Sequence, residues 1–439
     1  MEKRRLKKKI KRLFLVLVLL VIGILVFSMS SNNKKVKVIE KTKEKIDYVE
    51  VVNKKINDED ISKEFLTWVN KNYKDSLSKL NKLLDKEDYD KKMWHTVTGN
   101  SYIVLNDLYN DKYKNMDNIK ILDKVDDATL SFVGDVSLAD DWRIMPKYDE
   151  RGGINGVLSD STLKIMKEST LMVVNSEFTV SNRGTKMAGK LYTFRAKPER
   201  LSIYDEMGVD LVTLANNHVY DYGKDAFLDM LDAFDEYKIP RIGAGRNLEE
   251  AEKPYYFIIN GYKFAFVNGS RAEKYRLTPG ATDESEGIFL CYDPTNMINL
   301  IKELKDDNDY VITIMHFGRE DSHELEKEQV ESAKAYIDAG ASMVIGHHAH
   351  TLQGVEIYND RPIIYNLGNF LFNQAEVETA IFQVKLSDDG SMEYYMIPAL
   401  QKDCKTDILD GSRKEKVIKD LNSWSINSYI EENGKIIKK

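Results

Sequence analysis

Between residues 129 and 350 the chain repeats one pattern: a short apolar run, a polar turn carrying potential ligands, then an amphipathic stretch. Leu130-Ser131-Phe132-Val133 leads into Gly134-Asp135, residues 171–174 into Asn175-Ser176-Glu177, and residues 211–214 into Ala215-Asn216-Asn217-His218. Residues 310–315 lead into His316-Phe317-Gly318-Arg319-Glu320, and residues 343–345 into Gly346-His347-His348-Ala349-His350. Runs this short, bounded by Gly, Asn and Asp, predict buried strands, and the amphipathic stretches predict covering helices. One such helix is expected over residues 226–237, with Phe227, Met230, Leu231 and Phe234 inward. Asn260-Gly261 between residues 255–259 and 262–267 predicts a hairpin, so the sheet is mixed. A second hairpin is expected around Asp388-Asp389-Gly390, and a helix over residues 414–421. These elements place the main body in the α/β class with mixed sheets.

The segment before this body has a different texture. Residues 3–12 are almost wholly basic and residues 13–27 are apolar without a charge, a membrane-targeting pattern. An uncleaved anchor is expected, with a signal peptide cut near Ser28-Met29-Ser30 as the alternative. Positive charge stays inside, so the body is expected outside the cell membrane, on a single pass with a cytoplasmic N-terminus. Residues 36–57 suggest a stalk. Ile61, Phe65, Trp68, Val69, Tyr73, Leu77, Leu80 and Leu84 form a helical stripe, and Tyr102, Leu105, Leu108 and Tyr109 a second, which together predict a helical hairpin. The expected organisation is therefore residues 1–30 as basic flank and anchor and 31–127 as stalk and helical segment. Residues 128–400 form the main domain, and 401–439 a C-terminal helix and tail completing it.

Charge narrows the partners. The net charge of −7 conceals a +7 excess in the first twelve residues, eight Lys or Arg against one Glu, leaving −14 for the remainder. A body this acidic excludes nucleic-acid backbone binding. Two cysteines, Cys291 and Cys404, build neither a disulfide framework nor a thiolate metal site.

The histidines bring in chemistry. Of seven, His218, His316, His347, His348 and His350 follow apolar runs, leaving His95 and His323 elsewhere. Ligands of open α/β sheets gather beyond the carboxyl ends of strands, so these ends can share one site. Asp135, Glu177, Asn217, His316, His348 and His350 form a mixed oxygen and nitrogen set suited to a divalent metal, one or two ions of Mn, Fe or Zn. His218 differs: it is the candidate general acid, with Asp221 to orient it, because imidazole titrates near neutrality. Arg195 and Glu320 are candidate substrate-binding residues, the guanidinium because it pairs two oxygens of an anion at once. Singly, each of these has an ordinary structural explanation: a turn residue, a helix cap, a core histidine or a surface arginine.

Over about residues 129–418 the chain resembles the bacterial capsule synthesis proteins of the poly-gamma-glutamate (CapA) type. The motifs are Gly134-Asp135, Asn175-Ser176-Glu177, Phe194-Arg195-Ala196 with Pro198, Ala215-Asn216-Asn217-His218 with Asp221 and Gly223, His316 to Glu320, residues 346–353, and Tyr365-Asn366-Leu367-Gly368-Asn369-Phe370. That family is similar to the calcineurin-like metallophosphoesterases, which implies two packed mixed β-sheets flanked by helices around a metal site. By this resemblance Asp135, Asn217, His316, His348 and His350 are metal ligands, His218 is the catalytic acid and His347 is a bystander. The phosphoesterase pattern begins Asp-x-His, whereas Val136 and Ser137 follow Asp135 here, and Glu177 stands where that pattern has a bridging Asp. The implied role is a membrane-anchored accessory to synthesis, export or attachment of an anionic capsule polymer. It would act as a hydrolase on a phosphoester or the polymer, or as a non-catalytic scaffold among other capsule synthesis subunits.

Overall fold

The computed structural model describes residues 116–122, 125, 127–260, 262–272, 277–387 and 390–439. The expected anchor, stalk and helical hairpin lie outside these residues. Among the described residues no helix is long and apolar enough to cross a membrane. Nearly all of them fall in one compact unit, residues 118–120, 125–258 and 262–439, which carries the whole of the main domain's fold.

Two mixed sheets make up this unit, one of seven strands and one of ten. In the ten-stranded sheet Ala128–Val136, Leu171–Ser176, Leu211–Thr213 and Arg241–Ile242 run parallel in that order. In the other, Tyr262–Ser270, Tyr310–His316, Met343–His347 and Arg361–Ile364 run parallel. Antiparallel partners complete both sheets: Val355–Tyr358 lies beside Arg361–Ile364 in the smaller, and Glu376–Leu386 beside Ala128–Val136 in the larger. The strand Tyr255–Ile259 neighbours Tyr262–Ser270, as the Asn260-Gly261 signal predicts. Glu376–Leu386 and Met392–Lys402 pair antiparallel, which is the second expected hairpin.

The sheets pack face to face through aromatic rings. Phe132 of the larger sheet meets Phe266 of the smaller at 6.4 Å and its own neighbour Phe382 at 5.9 Å. Outer faces are covered by helices, so the parallel strands are buried on both sides, which is why their sequences are continuous apolar runs. Lys224–Glu236 lays Phe227, Met230, Leu231 and Phe234 into the core behind the larger sheet, while Thr295–Leu304 and Lys327–Ala339 cover the smaller.

The C-terminal part contributes more than the sequence suggests. The expected helix extends over Gly411–Trp424, and a further pair, Ser428–Ile430 with Lys435–Lys438, extends the larger sheet beyond Met392–Lys402. These strands are three and four residues long and four of their seven side chains are charged or exposed, so they carry little apolar signal.

Two glycines set the geometry at the ends of the central strands. A Cβ on Gly134 would stand 1.9 Å from the Gly368 carbonyl oxygen, and one on Gly346 would stand 2.0 Å from that of Tyr365. Only glycine permits these approaches. The first brings Asn369–Leu371 alongside Asp135, whose amide donates to Gly368 O at 2.9 Å.

Candidate metal centre

Five carboxyl ends converge where the two sheets meet. Asp135 lies at the end of Ala128–Val136, Glu177 directly after Leu171–Ser176, and Asn217 and His218 in the turn after Leu211–Thr213. His316 ends Tyr310–His316, and His348 and His350 come just after Met343–His347. His316 pairs in register with His347, and Asp135 with Asn175.

Glu177 is the centre of the arrangement. Its carboxylate is fully buried, and Oε1 has no hydrogen-bond partner. Three imidazole nitrogens face that oxygen instead: His316 Nε2 at 3.6 Å, His218 Nε2 at 3.9 Å and His350 Nε2 at 3.9 Å. Such separations are too long for hydrogen bonds. They suit two ligand atoms on one ion, since bonds of about 2.1 Å put neighbouring ligands roughly 3–4 Å apart. Glu177 belongs to two sets of side chains whose ligand atoms all lie within 4.8 Å of one another, one with His348 and His350 and one with Asp135 and His316.

Neighbouring groups orient the His350 and His316 imidazoles. His350 Nδ1 donates to Asn369 Oδ1 at 2.9 Å, leaving Nε2 bare toward Glu177. His316 Nε2 and Asn217 Oδ1 are 2.8 Å apart. His348 Nδ1 is buried without a hydrogen-bond partner. Both members of the H-x-H pair adopt left-handed backbone, φ 94° at His348 and 57° at His350, a strained conformation held by its surroundings. His347 donates Nε2 to the Val133 carbonyl at 3.0 Å and belongs to neither set.

Protonation follows from burial. Burial raises the Asp135 carboxyl, but its hydrogen bond with His350 and the imidazoles of His347 and His316 outweigh this and hold it well below the usual carboxylate range. Glu177 goes the other way, raised well above the ordinary 4.5 by burial and then by the charge of Asp135. Burial lowers His316 strongly, aided by His348, and takes His348 down to about 3. It lowers His347 as well. For His350 burial acts downward, but Asp135 raises it overall. Neutral His316 and His348 beside the orphaned Glu177 Oε1 and His348 Nδ1 are what a divalent cation would complete, so the donor set fits such an ion.

His218 forms a separate dyad. Its Nδ1 donates to Asp221 Oδ2 at 2.8 Å, and the same oxygen accepts from the Phe194 amide at 2.8 Å. Asp221 is fully buried, and the His218 ring packs on Phe194 at 4.5 Å. Of the other two candidates, Glu320 is 53% exposed with Oε1 3.9 Å from His348 Nε2, at the mouth of the cluster. Arg195 turns its guanidinium over the Tyr222 ring at 4.2 Å and donates to the Arg183 carbonyl at 3.3 Å.

Two organising residues were not among the candidate site residues. Asn175 donates to Asp135 Oδ1 at 2.8 Å and to Glu177 Oε2 at 3.3 Å, while its own oxygen accepts from Thr213 and Asn216. Asn268 joins the two halves, accepting from the Ala215 amide at 2.7 Å and donating to the Ile314 carbonyl at 3.0 Å.

Against this geometry, comparison with known proteins is specific. A family model described as "bacterial capsule synthesis protein PGA_cap" matches residues 129–374. The PGA biosynthesis protein CapA of Bacillus subtilis (strain 168) is 29% identical over 323 residues, covering 71% of this chain and 82% of that protein. The capsule biosynthesis protein CapA of Bacillus anthracis is 30% identical over 308 residues, covering 67% and 72%. Among solved structures, a Staphylococcus aureus protein described as a 5′-nucleotidase, in complex with alpha-ketoglutarate, aligns with a TM-score of 0.41 at 13% identity, over 68% of this chain and 59% of that one.

Proposed function

The chain belongs to the bacterial capsule synthesis protein PGA_cap family, and from that premise we propose that it is a membrane-anchored accessory to the synthesis or export of an anionic capsule polymer of the poly-γ-glutamate type, built around a two-ion hydrolase centre. The observation that carries the catalytic half of this reading is the buried, unpartnered Glu177 Oε1 with three imidazole nitrogens around it. Asp135, Glu177, Asn217, His316, His348 and His350 would hold the ions. When bound, such ions polarise a phosphoryl or carbonyl oxygen and make water nucleophilic at neutral pH.

The remaining steps belong to side chains of this chain. With Nδ1 committed to Asp221, His218 presents Nε2 on the Glu177 side, where it can give a proton to a leaving oxygen. Asp135 and Glu177 would offset only part of the charge of bound divalent ions, so the centre would favour an anionic phosphoester or carboxylate polymer. Glu320 and Arg195 are assigned to the substrate side, together with other capsule synthesis subunits as partners. Manganese, iron or zinc suits the mixed donor set.

The anchoring half rests on the basic residues 3–12 and the uncharged residues 13–27. Protease added outside intact cells should then degrade the chain beyond about Ser30, and protection of the body would reverse the orientation. The rival reading, a metal-stabilised scaffold, is favoured by Ser137 standing where the phosphoesterase pattern Asp-x-His has its histidine. Turnover of a generic phosphodiester or of polyglutamate by the metal-loaded chain separates the two. A wild type as inert as His218→Ala, with both retaining metal, leaves the scaffold.

A further inference from the structure

Lys190 is neither a ligand of the metal centre nor a member of the His218–Asp221 dyad, yet its environment is unusual. Its side chain is 2% exposed, while the next two residues, Leu191 and Tyr192, are 86% and 53% exposed. The chain therefore stays at the surface here while the Lys190 side chain alone reaches into the protein. A buried ammonium is costly unless paired and hydrogen-bonded. Lys190 Nζ meets this condition by donating to Asp221 Oδ1 at 2.8 Å, to the Asn217 carbonyl, and to Thr278 Oγ1 at 3.4 Å. Thr278 Oγ1 donates to the same Asn217 carbonyl at 3.0 Å.

Both principal acceptors belong to the site. The Asn217 carbonyl fixes the residue whose amide oxygen stands 2.8 Å from His316 Nε2. The Asp221 carboxylate sets the His218 ring. The segment around Lys190 is itself tied to this turn, because the Met187 amide donates to Asp221 O at 2.8 Å and the Phe194 amide to Asp221 Oδ2. Trp142 Nε1 holds the Thr193 carbonyl at 2.7 Å from the outside.

We propose that Lys190 is a positioning residue that clamps the Asn217–Asp221 turn, aiming the Asn217 amide at the metal centre and the His218 imidazole at the reacting group. The proposal rests on the reading of the site as a metal centre, but one of its two consequences, the setting of His218, exists without metal.

The test uses the full-length chain, with Mn²⁺ alone as probe, comparing wild type, Lys190→Met and Lys190→Arg. Lys190→Met should bind Mn²⁺ about tenfold more weakly or worse, and Lys190→Arg, which keeps a cation, should lie between. On a generic phosphodiester Lys190→Met should lose kcat by tenfold or more with little change in KM, since His218 acts in the transition state. In metal-free protein labelled at histidine, the His218 Nδ1–H signal should shift or broaden in Lys190→Met. Mn²⁺ affinity and His218 signals equal to wild type in Lys190→Met overturn the proposal. If wild type binds no Mn²⁺, the metal reading fails, while the His218 signal still decides the role of Lys190. Should Lys190→Met fail to fold, amine labelling of wild type decides. Lys190 should react at least tenfold more slowly than the exposed Lys186 and slow further on Mn²⁺ loading, and equal or metal-insensitive labelling counts against the clamp.

Discussion

Glu177 Oε1 and His316 Nε2 stand 3.6 Å apart inside the protein, and no hydrogen bond satisfies that oxygen. Two polar atoms at this distance are too far apart for a hydrogen bond and close enough to share a cation. The same oxygen stands 3.9 Å from His350 Nε2, and Glu177 belongs to both ligand sets.

The metal-free protein should show the strain of this carboxylate as a pH dependence. The Glu177 value in the folded chain lies above its ordinary 4.5, so its contribution to stability is fully present below about pH 4.5 and is lost as pH rises through the raised value. Metal-free Glu177→Gln should therefore be more stable than metal-free wild type by about 1–3 kcal/mol at pH 8, with the difference shrinking toward pH 5. Urea unfolding at the two pH values, with chelator present, measures it.

The His218–Asp221 dyad should matter for turnover and not for metal retention. His218→Ala is expected to lower kcat by about 10²–10⁴-fold, the usual worth of a general acid, with metal content unchanged. Asp221→Asn should also be impaired, because its amide can present a donor where Nδ1–H requires an acceptor. Steady-state rates paired with elemental analysis of the same samples check both.

Asn369 pairs with Asp135 through the backbone, and its side chain accepts from one imidazole, that of His350. Asn369→Leu removes the acceptor for His350 Nδ1 and should weaken metal affinity about 10–100-fold, as loss of an orienting partner does elsewhere. Competition against a metal chelator reads this directly. Unaltered affinity would remove His350 from the ligand set.

Gly134→Ala tests the backbone frame. Its Cβ would meet the Gly368 oxygen at 1.9 Å, so Asn369–Leu371 must move away from Asp135. Overpacking of this kind costs about 1–3 kcal/mol, and thermal unfolding should fall together with metal affinity, since the displaced strand carries Asn369.

The strand ends are legible in the sequence because parallel strands buried on both faces leave uninterrupted apolar runs, and each run ends in a ligand-bearing turn. For the same reason Asp135, Glu177, Asn217, His316, His348 and His350 stand out: each comes at or just after the end of a run. Asn268 and Lys190 do not, and Asn175 and Asn369 appear in motifs without their roles being legible. Asn175 opens a polar turn, where it resembles any other turn residue, and Asn268 continues an ordinary strand pattern. Their roles arise from bonds to residues 40 to 53 positions away in two of these cases, and such pairings have no local signature. Lys190 is flanked by Leu191 and Tyr192 in a polar loop, which suggests a solvated lysine; only the turn back into the site buries it.

The central claim is that Glu177 joins two ion positions. Elemental analysis of the purified full-length chain after loading with Mn²⁺ tests it most directly, with wild type and Glu177→Gln measured side by side at neutral pH. Two equivalents per chain in wild type, falling to one or none in Glu177→Gln, is the predicted result. Equal metal content in the two proteins, or none in wild type, would contradict it.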